Sequence, residues 1–236
     1  MNIFAIGDLH LPGGDDKPMN VFGPQWDNHF ERIRNSWREN VTQDDLVLIP
    51  GDISWAMQMA NALPDLQAIG ELPGRKVLLR GNHDYWWGSI TRLREALPQG
   101  MYAVQNDALL IGDTAVCGTR GWTLPERAEG EDEKIYAREL GRMEMSLERA
   151  AGLNARRTVV MTHFPPLADG GARTRMSELL ARYQPQDVVY GHLHGPSLRG
   201  AVTGTFDGIR YHCVSSDGLG FCVYRLPDTL CADSES

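Results

Sequence analysis

Five apolar runs in this 236-residue chain end in residues that can bind a metal ion or transfer a proton. The runs have the length and the flanking turn residues of buried strands, and they span 2–7, 45–50, 76–80, 157–162 and 187–190. Close to their ends lie Asp8, His10, Asp52, Asn82, His83, His163, His192 and His194. Ordinary polar caps explain any one of these residues, but five strands ending this way by chance is a poor explanation. We therefore expect one shared site.

The first half of the chain alternates strand-like runs with helical patterns. Apolar residues recur at helical spacing in 26–37, 54–70 and 89–97. This alternation predicts β-α-β units and a largely parallel sheet. Because the carboxyl ends of parallel strands meet at one edge, the metal-capable residues should gather there.

The second half has short strand-like runs separated by turn residues. Runs at 101–104, 108–111 and 114–118, and several within 201–226, predict antiparallel meanders. Two helices are also expected, at 131–152 and 174–183. The long helix should bury one face, formed by Tyr136, Leu140, Met143, Leu147 and Ala151.

The composition limits the classes of partner. The net charge of -8 argues against a broad nucleic-acid footprint, which needs clustered Lys and Arg. It leaves room for a small phosphorylated substrate, because a metal ion can supply positive charge locally. No internal linker is evident, so we predict a single domain over residues 1–227 and a loose tail over 228–236.

The chain carries no evident targeting or membrane segment. No basic region precedes the apolar start, and nowhere do about 18 apolar residues run together. The four cysteines form no C-x-x-C pair, which suits a reducing compartment. We therefore expect a cytoplasmic protein without a membrane partner. The sequence gives no signal for the oligomeric state.

The side chains at the strand ends suit hard or borderline divalent ions, because they offer carboxylate, imidazole and amide ligands without thiolates. With His83 held back, two Asp, one Asn and four His could complete two sites that share one carboxylate. Two ions about 3.5–4 Å apart form a clamp for in-line displacement at phosphorus.

Five motifs in order resemble the calcineurin-like metallophosphoesterases. They are Gly7-Asp8-Leu9-His10, Gly51-Asp52, Gly81-Asn82-His83-Asp84, Thr162-His163 and Gly191-His192-Leu193-His194. One such motif alone is weak, but the full ordered series spans most of the chain and is highly specific. The resemblance implies a four-layer αββα sandwich of two mixed sheets flanked by helices, which is an α/β fold.

The resemblance also implies a role for each motif residue. Asp8, His10 and His194 would hold the first metal, whereas Asn82, His163 and His192 would hold the second. Asp52 would bridge the two ions, which would be Mn, Fe or Zn. A bridging hydroxide would attack a phosphomonoester or phosphodiester. His83 would protonate the leaving group, and Asp84 would hold the His83 ring in the right tautomer.

One departure from the family pattern concerns substrate preference. Many relatives carry an acid at the position of Trp55, so their preference does not transfer to this chain. Arg120, Trp55 and Trp122 are candidate substrate contacts, through phosphate binding or stacking. Packing at the rim of the sheets is the alternative for the tryptophans, and we favour it for the neighbouring Trp86 and Trp87.

Two other functions remain open at the level of the sequence. A nuclease would share the chemistry but needs a basic groove, which the acidic balance disfavours. A catalytically idle metal-binding scaffold would share the fold, since fold alone does not fix function. A scaffold needs no general acid, however, and this chain keeps both His83 and the full set of ligands.

Overall fold

The strands of the computed structural model, which describes residues 1–14, 18–124 and 130–228, form two sheets. Eleven strands are described: β1 Ile3–Ala5, β2 Leu46–Pro50, β3 Arg75–Leu79, β4 Met101–Ala103, β5 Ala108–Ile111, β6 Thr114–Gly118, β7 Arg157–Met161, β8 Asp187–Tyr190, β9 Gly204–Phe206, β10 Ile209–Cys213 and β11 Tyr224–Arg225. The first sheet has the order β11-β1-β2-β3-β4, and the second has the order β5-β6-β7-β8-β10-β9.

Helices cover the outer faces of both sheets. Five α-helices are described: α1 His29–Asn40, α2 Met59–Gly70, α3 Ile90–Ala96, α4 Glu131–Ala151 and α5 Arg175–Tyr183. Short 3-10 turns span Met19–Phe22, Pro24–Trp26, Asp169–Gly171 and Gly195–Gly200. Three apolar cores separate the layers, one beneath α1–α3, one beneath α4 and α5, and one between the sheets. The expected four-layer αββα sandwich is confirmed.

Side-chain alternation along the strands explains the three cores. In β1, Phe4 points to the core beneath α1–α3, whereas Ile3 and Ala5 point between the sheets. Successive side chains of a strand face opposite sides, so a strand covered on both faces must be apolar throughout. This is why the first strands appear in the sequence as continuous apolar runs.

The second sheet is not chiefly antiparallel, which corrects our expectation for the second half of the chain. Strands β6, β7, β8 and β10 run parallel, and of the strands described in this sheet only β5 and β9 pair antiparallel, at the two edges. Strand β4 joins the first sheet, parallel to β3. The sequence shows short runs and tight turns, but it does not show that long connections through α4 and α5 return the chain in the same direction.

The two sheets are joined by backbone hydrogen bonds beyond the end of β1. The Gly7 N–H donates to the Val214 carbonyl at 2.7 Å, and the Ser216 N–H donates to the Gly7 carbonyl at 3.2 Å. Gly7 and Ser215 therefore form a parallel bridge between the segments that follow β1 and β10. The bridge lies directly before Asp8.

The burial of two tryptophans, of one face of α4 and of two cysteines can be read from the structure. Trp86 and Trp87 are both 3% exposed within the core beneath α1–α3, so their packing role is confirmed. On α4, Ala150 rather than Ala151 is buried, because the buried face follows the 3.6-residue period. Of the cysteines, Cys117 is a buried free thiol and Cys222 an exposed one.

No helix within 1–14, 18–124 and 130–228 is long and apolar enough to cross a bilayer. The loose tail predicted for 228–236 lies beyond these residues, except for residue 228.

Candidate metal centre

The loops after β1, β2, β3, β7 and β8 bring the predicted ligands together at the carboxyl edge of both sheets. The first sheet supplies Asp8, His10, Asp52 and Asn82. The second sheet supplies His163, His192 and His194. Parallel strands in both sheets end at this edge, so residues far apart in sequence share one small volume.

One group of donor atoms consists of Asp8, His10 and His194. The Nε2 atoms of His10 and His194 are 3.4 Å apart. His194 Nε2 is also 3.4 Å from Asp8 Oδ1. Ligand atoms of all three residues lie within 4.8 Å of one another, which is close enough for one cation to contact each.

A second group of donor atoms consists of Asn82, His163 and His192. Asn82 Oδ1 lies 2.7 Å from His163 Nε2 and 3.0 Å from His192 Nδ1. The two imidazole nitrogens are 3.3 Å from each other. An amide oxygen facing two imidazoles is a donor set suited to a transition metal.

Asp52 lies between the two groups. Its Oδ2 is 3.9 Å from His10 Nε2 on one side and 3.4 Å from His163 Nε2 on the other. Its Oδ1 accepts a hydrogen bond from the His83 N–H at 2.8 Å. The carboxylate is 2% exposed, so bulk water does not compensate its charge.

Hydrogen-bond partners at Nδ1 fix the ring orientation of two of the histidines. His163 Nδ1 lies 3.0 Å from the Pro50 carbonyl oxygen, which can only accept, so Nδ1 carries a proton and Nε2 is the nitrogen presented to the site. His194 Nδ1 likewise lies 2.9 Å from Asp217 Oδ1. Such outer carboxylates and carbonyls are the usual means of orienting a metal-binding histidine.

Asp217 contacts a predicted ligand, His194, and the sequence reasoning missed it. It follows β10, which is parallel to β8, so the end of β10 reaches the same edge as His192 and His194. We predicted antiparallel strands there, and that prediction left Asp217 without a reason to approach the site. A parallel assignment for β10 is the signal that could have identified it.

The backbone at four of these residues adopts left-handed conformations. The φ angles are 57° at Asp8, 45° at His10, 51° at Asp52 and 74° at His192. Such angles are uncommon for residues with a side chain, and they concentrate at functional sites. The loops therefore adopt backbone conformations that are unfavourable in free energy, and these conformations direct several polar side chains toward the site.

Glycine is required where the loops approach each other most closely. A Cβ on Gly81 would lie 2.1 Å from Asp52 Oδ1, and a Cβ on Gly191 would lie 2.3 Å from Asp8 Oδ2. Any other residue at either position would displace a carboxylate. These two motif glycines therefore create the space that the carboxylates occupy.

Asp84 does not contact the His83 ring, which corrects the expected orienting role. Its carboxylate accepts hydrogen bonds instead from the Asp52, Ile53, Ser54 and Gly81 N–H groups and from the Trp86 indole. Burial and the nearby charge of Asp52 raise the pKa of Asp84 to about 6. Asp84 therefore ties the loop that carries Asp52 to the loop that carries Asn82.

The His83 ring is held by packing. Its centroid lies 4.6 Å from Trp55, which also stacks on His10 at 4.8 Å with an interplanar angle of 20°. His83 Nδ1 is buried and has no hydrogen-bond partner among the described residues. Trp55 thus occupies the space beside His83 in which a hydrogen-bonding partner could otherwise lie.

The electrostatics of the site favour a bound cation. Burial lowers the pKa of His10 to about 4 and, together with the charge of His163, that of His192 to about 4. Burial would also lower the pKa of His163, but the charge of Asp52 and a hydrogen bond to it raise this pKa to about 9. For His194, hydrogen bonds to Asp217 and Asp8 overcome burial and raise the pKa to about 10.

These protonation preferences are those expected of a donor set that binds metal ions. His163 and His194 hold protons because carboxylates face them, and a metal ion can take the place of such protons. Asp52 stays ionised, because the charge of His163 and a hydrogen bond with it overcome burial and hold its pKa well below the usual range. Two imidazole pairs around a shared carboxylate match the ligand chemistry of divalent transition metals.

Two cavities open at the donor groups. One of about 450 Å³ is lined by His83 and Trp55 together with Met19, Phe22 and Trp26. Another, of about 330 Å³, is lined by Trp122, Phe164 and His192. Of the three candidate substrate contacts, Trp55 and Trp122 thus line different cavities. Arg120 lines neither of these, but a third and smaller cavity.

Comparison with known proteins assigns the family. The family model described as calcineurin-like phosphoesterase matches residues 1–196. A Gene 66 protein of Mycobacterium phage D29 is 26% identical over 206 residues, covering 86% of this chain and 83% of the relative. A Gene 66 protein of Mycobacterium phage L5 is 25% identical over 200 residues, covering 84% and 79%.

Solved structures agree in fold. A protein of unknown function from Aquifex aeolicus, AQ665, matches with a TM-score of 0.52 at 15% identity, covering 95% of each chain. The phosphopantetheinyl hydrolase of Mycobacterium tuberculosis matches with a TM-score of 0.53 at 18% identity, covering 98% of each chain. Because the family model matches residues 1–196, which is most of the sequence, the chain belongs to the calcineurin-like phosphoesterases and is a metallophosphoesterase.

Proposed function

We propose that the chain hydrolyses a phosphomonoester or phosphodiester at a dinuclear metal centre. The observation that carries this proposal is the position of Asp52. Its Oδ2 lies 3.9 Å from His10 Nε2 in one donor group and 3.4 Å from His163 Nε2 in the other. A carboxylate facing both groups is suited to bridge two ions. The surrounding donors would complete two separate coordination spheres.

The proposed ligands divide by group. Asp8, His10 and His194 would hold the first ion, and Asn82, His163 and His192 the second, with Asp52 shared. When bound, two such ions supply Lewis acidity toward phosphoryl oxygens and a hydroxide nucleophile at neutral pH. We expect Mn, Fe or Zn, because the donor set accepts all three.

His83 would act as the general acid. Its ring lines the 450 Å³ cavity beside Asp52, so a leaving group placed in this cavity lies within its reach. Packing against Trp55 limits the directions in which the ring can point. His83 would donate its proton to the ester oxygen as the bond to phosphorus breaks.

The small cavities at the centre favour a small phosphorylated substrate over a polymer. The net charge of -8 supports the same choice, because a nucleic-acid backbone needs a positive surface. A nuclease remains the competing proposal, and the same assay addresses it. Membership of a phosphoesterase family supports an enzyme over an idle scaffold.

The test combines metal analysis with a substrate screen. The purified chain is loaded with Mn, Fe or Zn, its metal content is measured, and hydrolysis of generic monoesters, diesters, nucleotides, sugar phosphates and single-stranded DNA is followed. A phosphopantetheine ester belongs in the screen, because the Mycobacterium tuberculosis structural neighbour is named for that hydrolysis. We expect two ions per chain and turnover of small esters. Metal-loaded protein that cleaves none of these would contradict the proposal.

A further inference from the structure

Within 1–14, 18–124 and 130–228, two arginines at the edge of the site have no acceptor for their guanidinium groups. Arg80 directly follows β3, and Arg120 lies two residues beyond β6. Among the described residues, neither guanidinium forms an ion pair or donates a hydrogen bond, and the Nε of Arg80 is buried. Leaving the buried Nε donor of Arg80 without an acceptor costs free energy, and a bound anion would remove that cost.

Both arginines line one cavity of about 60 Å³, together with Glu139 and Arg142. The Glu139 carboxylate is already engaged by the Thr119 hydroxyl, the Gly121 N–H at 3.2 Å and Arg142 at 2.5 Å. Three guanidinium groups thus share the cavity with one carboxylate. The cavity is a positive spot on a chain of net charge -8.

The cavity adjoins the second donor group. The Arg120 carbonyl accepts hydrogen bonds from the His163 N–H at 2.9 Å and the Phe164 N–H at 3.0 Å. Arg80 lies two residues before Asn82 on the same loop. Arg80 therefore lies on a segment that carries one proposed ligand of the second ion, and Arg120 lies on a segment that is hydrogen-bonded to another, His163.

The Arg120 side chain is also pre-positioned. Its guanidinium carbon lies 4.3 Å from the centre of the Trp122 ring, and the Trp122 indole donates to Asp132 at 2.9 Å. A stacked guanidinium keeps its N–H groups in one plane and free for an acceptor. Holding the group in place before binding reduces the entropy lost when a ligand arrives.

We infer that Arg80 and Arg120 form an anion subsite for a second negatively charged group of the substrate. The inference rests on the proposed function, since it places the scissile phosphoryl group at the metal centre. A cavity of this size admits a single phosphate or carboxylate group but not a sugar or a base. The substrate class is therefore a small phosphoester that carries a second anion.

The test compares three esters that differ in that second group. Glycerol 2-phosphate has none, 2-phosphoglycerate has a carboxylate, and glycerol 1,2-bisphosphate has a second phosphate. We expect kcat/KM of the wild type to be about tenfold or more higher for one or both anionic esters, and the preferred ester identifies the group. The variants R80Q and R120Q should each lose about tenfold to a hundredfold on that ester and little on glycerol 2-phosphate.

Conservative and distant variants control for structural damage. R80K and R120K keep the charge but not the planar fork, and they should retain part of the preference. R182Q removes an exposed arginine that pairs with Glu144, and it should behave like the wild type. Thermal melting of every variant checks that it folds.

A second readout does not depend on turnover. Titration calorimetry with inorganic phosphate on the metal-free protein should detect binding that R80Q weakens about tenfold and R182Q leaves unchanged. Wild-type protein that hydrolyses all three esters equally well, with no loss in R80Q, would overturn the subsite. If no ester is hydrolysed but phosphate binding still depends on Arg80, the proposed phosphoesterase function fails and the subsite stands.

Discussion

Strands β7 and β8 carry charged or metal-capable residues at both ends, and the two ends differ in how those residues are paired. At the amino ends, Asp187 accepts hydrogen bonds from Arg157 at 2.7 Å, from Arg210 at 2.8 Å and from His212 at 2.9 Å. At the carboxyl ends, His163 and His192 face each other at 3.3 Å beside further donors.

The difference separates a cluster whose charges satisfy one another from the cluster that we propose holds metal ions. Around Asp187 opposite charges meet, and both carboxylate oxygens are engaged. At the metal centre like groups converge, and the backbone is held in left-handed conformations. Buried groups that need an outside ion to satisfy them mark a functional site, whereas groups that satisfy one another mark a structural one.

The largest expected effect follows from Asp52→Asn. The amide keeps an acceptor for the His83 N–H but removes the charge shared by the two donor groups. Both ions should be lost together, and hydrolysis with them. Elemental analysis after gel filtration measures this, with Asp187→Asn as the matched control that should keep its metals. Two tightly held ions in the Asp52 variant would remove the bridging role.

His83→Ala should affect catalysis without affecting metal content. Loss of a general acid lowers kcat by about 10²–10⁴-fold, and the loss should be greatest for esters with poor leaving groups. Steady-state kinetics on an activated diester and an alkyl ester measure the contrast. Tyr85→Ala changes an exposed neighbour and serves as control. Wild-type rates on both esters would exclude His83 from the mechanism.

Asp187→Asn should reduce stability and leave the site intact. Removing the carboxylate leaves Arg157, Arg210 and His212 without their shared partner. Breaking such a buried pairing costs about 3–5 kcal/mol in the free energy of unfolding. Denaturant unfolding measures the loss, and metal content should be unchanged. An unaltered unfolding midpoint would show that the cluster is not structural.

The same cluster predicts an acid dependence. Burial would raise the pKa of Asp187, but hydrogen bonds from His212, Arg210 and Arg157 lower it to about 2. A carboxyl whose pKa is lowered on folding contributes stability above its unfolded pKa, here about 2–3 kcal/mol. That contribution is lost as the pH falls from about 4 through 2. The difference in unfolding free energy between wild type and Asp187→Asn should therefore narrow over this range.

Asp217→Asn should have the smallest effect, confined to the first metal. Its carboxylate orients His194 through Nδ1, and loss of such a partner typically weakens metal affinity about 10–100-fold. Metal titration should show one weakened ion and one unaffected ion, and Asp217→Glu should restore part of the loss. Equal weakening of both ions would argue against this local role.

Local features of the sequence were enough to predict which metal-capable residues the structure brings together at one edge of the sheets. Each predicted ligand follows an apolar strand and a glycine or another turn residue. The strand, the turn residue and the ligand lie within a few residues of one another, so each motif can be recognised locally. The order of the motifs then supplied the αββα fold, which hydrophobic periodicity alone does not specify. The parallel course of β10 depends on pairing with β8 over a long distance, so local patterns did not reveal it.

Two errors at the site have the same physical origin. We expected Asp84 to contact His83 because the residues are adjacent, but backbone N–H groups from another loop occupy both of its oxygens. The predicted site also left out Arg80, because nothing in the sequence shows that Arg80 and Arg120 line the same cavity. Contacts between loops depend on tertiary geometry, which a single sequence does not encode locally.

The backbone bridge between Gly7 and Ser215 has a consequence for cooperativity. It is adjacent to Asp8, and the proposed ligands come from both sheets, so ion binding would fasten the two halves at the point where the chain already joins them. Neither sheet could then slide past the other without breaking metal bonds. Loaded protein should unfold in a single transition at a higher temperature, whereas stripped protein would rely on the bridge and the apolar core between the sheets.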